Sequence, residues 1–396
     1  MGFPVALPQR NDRPEGPYCR VAPQIKGLGH DFAVNVVLQQ GLVLTDDDAL
    51  LLDALQLVPR APWSAVGEAL GISPTTAAKR WQRLLEDGIA WVTASPAMAT
   101  SSPQCFAHVE VSCRAGAHFA VANAVAAHPL AVTVELTTGP ADLLVTLAGA
   151  DLPTVSHHVL HHLDEIDGVL NTQTSVVTRL YSEGGSWRIR RLADGAVRSL
   201  LASQASEFDE DEQTLPAGPM TSTYKAIVEL LTIDGRMSYT EIAERLDLSP
   251  TTARRRTSEL LRSGRVRLRA DVSAQDAGWP VENYIRADVP VPILRDTAER
   301  LSQMRQSRLT ATVAAGPQLL QSSWLQTVEE VHRLELSMVE QHPQLQIVER
   351  LLVLRVIKRN GRLIGPDGRA TGVVPINIWD DPLCPEAPAP EAAIPS

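Results

Sequence analysis

The sequence predicts an α+β chain in which two winged helix-turn-helix domains alternate with two ferredoxin-like βαββαβ domains. Three observations lead there: a stretch that recurs at a fixed spacing, a helix, helix, turn, helix pattern inside each copy, and a strand-rich block after each copy. "ISPTTAAKR", from residue 72, returns as "LSPTTARRR" from residue 248, 176 positions later. At that offset residues 45–88 align with 221–264 without a gap, which puts Thr45 on Thr221, Arg60 on Arg236, Glu68 on Glu244, Arg80 on Arg256 and Gly88 on Gly264. Self-similarity at a fixed period marks a duplicated structural unit.

A chain of 396 residues is more than one hydrophobic core serves, so several domains are expected. The 44% apolar content is that of an ordinary soluble protein. No apolar run approaches the roughly 20 residues of a membrane span, and the N-terminus lacks a signal-like core, so the chain reads as cytoplasmic with no membrane partner. The four cysteines are scattered without CxxC spacing and suggest neither a zinc site nor a disulfide framework. A net charge of −10 argues against a nonspecific coat on nucleic acid. Charge acts over only about 8 Å at physiological salt, so a local basic patch can still operate.

The expected divisions are an N-terminal extension 1–41, a first helix-turn-helix domain 42–98, a first ferredoxin-like domain 104–181, an acidic linker 182–220 that contains "EFDEDEQ", a second helix-turn-helix domain 221–273, a second ferredoxin-like domain 280–357, and a tail 358–396. The end of the tail, rich in proline and alanine, is expected to be disordered because such composition buries too little apolar surface to fold.

Within each head, Thr45 and Thr221 suit helix N-caps, and a short second helix carries Val66 and Leu70, matched by Ile242 and Leu246. Ser73 and Ser249 suit the N-cap of the third helix, with Pro74 and Pro250 at its first position, where a missing N–H costs nothing. Gly88 and Gly264 suit its stop. Ala77, Trp81, Leu84 and Leu85 make one face, reproduced as Ala253, Thr257, Leu260 and Leu261, so Thr75, Thr76, Lys79 and Arg83 point away with Arg80 at the flank. A helix-turn-helix places such a helix in the major groove of double-stranded DNA. One copy alone is equally well a three-helix bundle with a solvated basic face; two copies with the same outward threonines and the same flanking arginine favour DNA.

The second copy is the more basic. Arginines 254, 255, 256, 262, 265, 267 and 269 fall within sixteen residues. By helical position Arg255 could reach guanine edges, while Arg254 and Arg256 suit phosphates. "GRVRLRADV" alternates its arginines with apolar residues and resembles a basic wing. The DNA-contact set expected from the sequence is therefore Ser73, Thr75, Thr76, Lys79, Arg80 and Arg83 in the first head, and Ser249, Thr251, Thr252, Arg254, Arg255, Arg256, Arg262, Arg265 and Arg267 in the second.

Residues 106–181 read as strand, helix, strand, strand, helix, strand, and 281–357 repeat the order more loosely. A helix-turn-helix with Leu-Ser-Pro-Thr before its last helix, followed by a βαββαβ domain with the turn "TGPAD" at 138–142, resembles the Lrp/AsnC family of transcription regulators, here in tandem. The resemblance implies amino-acid-responsive DNA binding, RAM-type sheet domains that pair face to face, and homo-oligomers. In this chain it implies an intramolecular pseudo-dimer, with the effector at Thr138, Gly139 and Asp142. The second sheet domain has "AGPQ" at 315–318 and lacks the turn aspartate.

"HHVLHH", residues 157–162, offers i,i+4 histidine pairs. His157 and His161 fall on the solvent side, opposite Val155, Val159, Leu163 and Ile166, and no carboxylate or thiol completes a set, so no metal site, cofactor or catalytic residue is expected. Nucleophile elbow, Walker loop, GxGxxG and HExxH are all missing from the sequence. The architecture also resembles that of siroheme decarboxylases, which implies a tetrapyrrole enzyme as the alternative, with His108 and His118 as its candidate histidines; their Trp-Asn motif is not found after either sheet domain.

Overall fold

The structure is a computed structural model that describes residues 44–97, 104–205 and 220–379. The N-terminal extension through residue 41, the acidic run 207–213 and the tail from 380 onward lie outside the described residues.

The first head comprises α1 (Asp46–Leu57), α2 (Trp63–Leu70) and α3 (Pro74–Glu86), followed by β1 (Ala90–Pro96). Thr45 caps α1 in a capping box with Asp48, and Ser73 caps α3 by accepting from Thr76 N at 3.0 Å. The αL cap of α2 is Gly71 (φ 67°). Gly88 (φ 66°) follows the end of α3. These are positions where a Cβ costs energy. Leu51, Leu55, Val66, Ala77, Trp81 and Leu84 close the core.

The second head opens after residues 169–205, whose elements join the sheet and the first head. That region holds β5 (Val169–Ser182) and α6 (Asp194–Ala205). Part of the stretch expected as an acidic linker is thus helical. Leu200 of α6 joins the first head's core, and Asp53 of α1 accepts the backbone N–H groups of Arg191 (2.7 Å) and Leu192 (2.8 Å) as well as Arg188 Nε (2.9 Å). The second head itself is α7 (Ser222–Ile233), α8 (Tyr239–Leu246), α9 (Pro250–Arg262) and β6 (Val266–Val272). Thr221 stands at the N-cap of α7 without a side-chain cap bond, unlike Thr45. Asp247 takes the αL position (φ 52°) held by glycine in the first head, a conformation aspartate tolerates better than most residues.

The heads lock to each other by reciprocal contacts. Arg60 donates to Gly235 O (2.8 Å) and Met237 O (2.9 Å), and Arg236 donates to Pro59 O (2.6 Å) and Ala61 O (2.9 Å). Arg60 lies over the Tyr239 ring and Arg236 over Trp63, 4.7 and 4.0 Å from the centroids. Strands β1 and β6 pair antiparallel from Ala90↔Val272 to Pro96↔Val266, with Thr93 opposite Arg269. Every one of these contacts maps onto its mirror at the repeat spacing, so a local twofold axis passes between Thr93 and Arg269.

The sheet region corrects the expectation of two separate ferredoxin-like sheets. Its first half holds β2 (Cys105–Cys113), α4 (His118–Ala126), β3 (Ala131–Thr137), β4 (Leu143–Gly149), α5 (Leu152–His158) running into a π-helical turn at Val159–Leu163, and β5. Its second half holds β7 (Val281–Asp288), α10 (Val291–Ser302), β8 (Ser307–Ala314), β9 (Leu319–Leu325), α11 (Glu329–Gln341) and β10 (Gln346–Arg359). The strands run β3-β4-β2-β5-β8-β9-β7-β10, and β10 returns to pair with β3, so eight strands close a barrel; β11 (Arg362–Ile364) and β12 (Ala370–Val373) extend from β10.

Closure has a plain cause in strand length. The 14-residue β5 pairs with β2 through Val176 and with β8 from Val176 onward. The 14-residue β10 likewise pairs with β7 up to Leu352 and with β3 from Val353. Each half thereby covers the edge the other would expose, and unpaired edges are costly. The halves meet edge to edge and not face to face. Helices α4 and α5 pack outside the first half over Val109, Val134 and Val145, and α10 and α11 outside the second over Ile285, Ala287 and Leu319. No helix among the described residues is long and apolar enough to cross a membrane.

Candidate nucleic-acid interface and barrel interior

In both heads the third helix begins the same way. The Ser249 hydroxyl accepts from Thr252 N at 3.1 Å and lies 2.8 Å from the Thr252 hydroxyl; Ser73 and Thr76 repeat this at 3.0 and 2.8 Å. Thr76 and Thr252 are therefore engaged at the helix start, while Thr75 and Thr251 are exposed beside the caps Ser73 and Ser249.

The charges of the two helices differ. On α3, Arg80 pairs with Asp47 at 2.7 Å, and one Arg83 nitrogen lies 2.7 Å from both Asp48 oxygens. Burial alone would raise the Asp48 pKa, but the hydrogen bonds from Arg83 and Thr45 outweigh it and hold the carboxyl below its usual value. Lys79 and the paired Arg83 are the exposed cations of this face. On α9, Arg254 and Arg255 are exposed and Arg256 is half-buried; Arg255 reaches Glu259 at 2.7 Å, and the Tyr224 phenol donates to the same carboxylate at 2.6 Å.

The expected wing arginines turn the other way. Val266, Leu268 and Ala270 of β6 complete the cores of the heads, so the alternate residues face the barrel. Arg269 is buried and pairs with Asp271 at 2.7 Å, Arg267 lies 3.4 Å from Glu183, and Arg265 is half-buried. Arg262 lies at the end of α9, its Nε 3.4 Å from Ser258 O.

Two of the expected effector residues, Thr138 and Gly139, lie at the seam between the halves. The Thr138 N–H donates to Leu352 O (2.9 Å), and its hydroxyl accepts from Leu352 N (2.9 Å). Gly139 adopts φ 108°, and a Cβ there would meet the Leu351 side chain at 2.5 Å. Asp142 accepts from Cys113 N at 2.7 Å.

Sequence reasoning missed the barrel interior. A cavity of about 110 Å³ opens under the β1–β6 ribbon, lined among others by Glu135, Glu282, Tyr284, Arg308 and Arg359. Arg359 bridges Glu135 (2.9 Å) and Glu282, Tyr284 donates to Glu135 (2.9 Å), and Ser322 donates to Glu282 (2.9 Å). Burial and the neighbouring Glu282 push Glu135 up to about 7. Burial lowers Arg308, stacked 3.7 Å over Trp324, to about 9. Deeper in, Arg286 pairs with Glu110 and donates to the Ser175 hydroxyl at 2.6 Å. The signal available in the sequence was polar residues at inward positions of strands, as in "LLQSSWL" of β9. His108 faces this interior with Nδ1 3.2 Å from the Thr146 hydroxyl, its pKa lowered to about 4 by burial. His118 opens α4 on the outer side of the sheet, so the two histidines are not brought together.

Comparison with known proteins fits this geometry. The Lrp/AsnC ligand binding domain matches residues 104–187, and the AsnC-type helix-turn-helix domain matches twice, at 44–85 and 220–261. The matched segments thus resemble Lrp/AsnC-family domains, with the helix-turn-helix in duplicate. The chain is 28% identical over 110 residues to an uncharacterized HTH-type transcriptional regulator of Pyrococcus abyssi, covering 28% of this chain and 70% of that one. With the HTH-type transcriptional regulator FL11 of Pyrococcus furiosus it shares 26% over 142 residues, 36% of this chain and 93% of the relative. In fold it is similar to the siroheme decarboxylase NirDL solved with an iron-uroporphyrin III analogue, with TM-score 0.51 and 18% identity, covering 79% of this chain and 92% of that one.

Proposed function

We propose that the protein is a sequence-specific DNA-binding transcription regulator that carries both reading heads on one chain. The observation behind this reading is α9, the third helix of an AsnC-type head, which begins at a capped N-terminus and presents Thr251, Arg254 and Arg255 outward. Helix α3 is the second, less cationic reader, contributing Thr75 and Lys79. Each half of the barrel keeps the strand order of a ferredoxin-like unit, and we read the barrel as two such units fused. A small amino acid or related metabolite bound near Thr138, Gly139 and Asp142 would act on the seam with β10, favouring one arrangement of the halves over another. DNA must then change effector affinity by the same factor. The test is a gel shift against DNA upstream of the protein's own gene, with and without a panel of amino acids, in wild type and in the Arg254→Ala/Arg255→Ala/Arg256→Ala variant. Binding that is equal in the two proteins removes α9 as the reader.

A second reading, a tetrapyrrole enzyme, is favoured by the NirDL likeness over most of the chain. Against it, the barrel cavity of about 110 Å³ is small beside the roughly 300 Å³ or more of a drug-sized ligand site, and His108 and His118 lie on opposite sides of the sheet. Soret absorbance shifting on titration with an iron tetrapyrrole, without any DNA binding, would establish the enzyme reading instead.

A further inference from the structure

Three histidines converge outside the barrel, in a place that neither DNA reading nor the effector seam uses. His128 lies in the turn between α4 and β3, His158 ends α5, and His162 lies one turn on, in the π-helical segment Val159–Leu163. Their rings pack as a triangle, with centroids 4.1 Å apart for His128 and His158 and 4.8 Å for each of the other two pairs. One ligand nitrogen from each lies within 4.8 Å of the others. His158 is wholly buried, and neither of its ring nitrogens has a hydrogen-bond partner. A buried imidazole left in that state calls for an explanation.

We propose that His128, His158 and His162 form a binding site for a divalent transition metal of the zinc type. Three neutral imidazoles without a carboxylate suit zinc, copper, nickel or cobalt and not magnesium or calcium. His158, wholly buried with both ring nitrogens unpartnered, turns a ring nitrogen toward the other two. Tetrahedral ligation at about 2.1 Å requires nitrogens about 3.4 Å apart, so the rings must close up by small side-chain rotations. His128 also gives something up, because its Nδ1 accepts from Leu130 N at 3.2 Å. Ligation through Nε2 moves the ring proton to Nδ1 and breaks that contact; ligation through Nδ1 replaces it. Lys358 of β10 donates to the His128 carbonyl at 2.9 Å. Half-buried His162 is the entry side, where water would take the fourth position. A bound ion would pin the α4–β3 turn to α5, and through His128 and Lys358 to the other half of the barrel.

The competing ligands are His157 and His161, a second pair with tilted rings 4.8 Å apart on the outer side of the same segment. The test is titration of the full, chelator-stripped chain with Co²⁺, followed by visible absorbance, then displacement by Zn²⁺. The expected result is one equivalent with the intense bands of a low-coordinate site, weakened at least about tenfold in His158→Ala and His162→Ala and retained in His157→Ala/His161→Ala. Zn²⁺ should raise the Tm of wild type and not of His162→Ala. Should His158→Ala fail to fold, His162→Ala, at the rim of the cluster, carries the comparison alone. Binding that is lost in His157→Ala/His161→Ala but unchanged in His162→Ala, or no binding at all, overturns the proposal.

Discussion

The two heads share their helix order and the serine cap of the third helix but not the charge of the face they present. In the first, Asp47 and Asp48 in the opening turn of α1 take Arg80 and Arg83 of α3. In the second, the same two positions are Thr223 and Tyr224, so the position that faces Arg80 in the first head carries no carboxylate for its counterpart Arg256. The Arg83 position has become Glu259, which Tyr224 meets as a hydrogen-bond donor. The contact between first and third helix survives with its polarity exchanged. Thus the residues two and three positions after the α1 or α7 N-cap, together with the third helix's own charges, set how much positive charge that helix offers.

That contrast can be broken most severely by removing the cations of α9. Arg254→Ala/Arg255→Ala/Arg256→Ala should lower promoter affinity by about 100-fold or more and flatten the dependence of log K on log salt by about two to three units; the equivalent Lys79→Ala should change both only slightly. Fluorescence anisotropy at several salt concentrations separates the two.

Next comes the symmetry of the lock. Arg60→Ala and Arg236→Ala each strand two backbone carbonyls and should cost about 2–3 kcal/mol. Near-equal losses in urea denaturation are expected, and a large inequality would show that one head depends on the lock more than the other.

A transplant is a finer probe. Thr223→Asp should give Arg256 the carboxylate that Arg80 has and weaken DNA binding by about tenfold, one like charge brought beside the phosphates. Asp47→Asn should do the reverse in the first head, by a smaller factor.

The smallest effect is one of pH. The Asp48 pKa is depressed, so its clamp on Arg83 contributes fully above the ordinary aspartate value of 3.8 and is lost as pH falls through the lower folded-state value. The Tm advantage of wild type over Asp48→Asn should be flat from pH 7 to about pH 5 and shrink only in stronger acid.

Much of this was legible in the sequence because it is local. Ser73, Pro74 and Gly88, with their counterparts, announce a helix and its ends within one stretch, and the 176-residue offset announces the duplication. What escaped depends on residues far apart in the chain. The pairing of β10 with β3 joins Val353 to Thr137, and no periodicity in either strand encodes it. Arg267 and Arg269 share one face of β6, with Arg265 just before the strand, and which face meets the heads is decided by Val266 and Leu268. Among the histidines, the helical wheel put His157 and His161 outward, and only the fold brings His128 to His158 and His162.

One contact in the barrel says something about the ancestry of the chain. Glu110 and Arg286 occupy equivalent places in the two halves, opposite Leu144 and Leu320 of the neighbouring strands, and they pair with each other. In an assembly of two identical subunits a residue near the symmetry axis meets its own copy, so this place could hold only Glu against Glu or Arg against Arg. Covalent fusion lifted that restriction. Opposite charges at the dyad are a heterodimer's solution, reached inside a single polypeptide whose halves cannot be exchanged for one another or diluted apart.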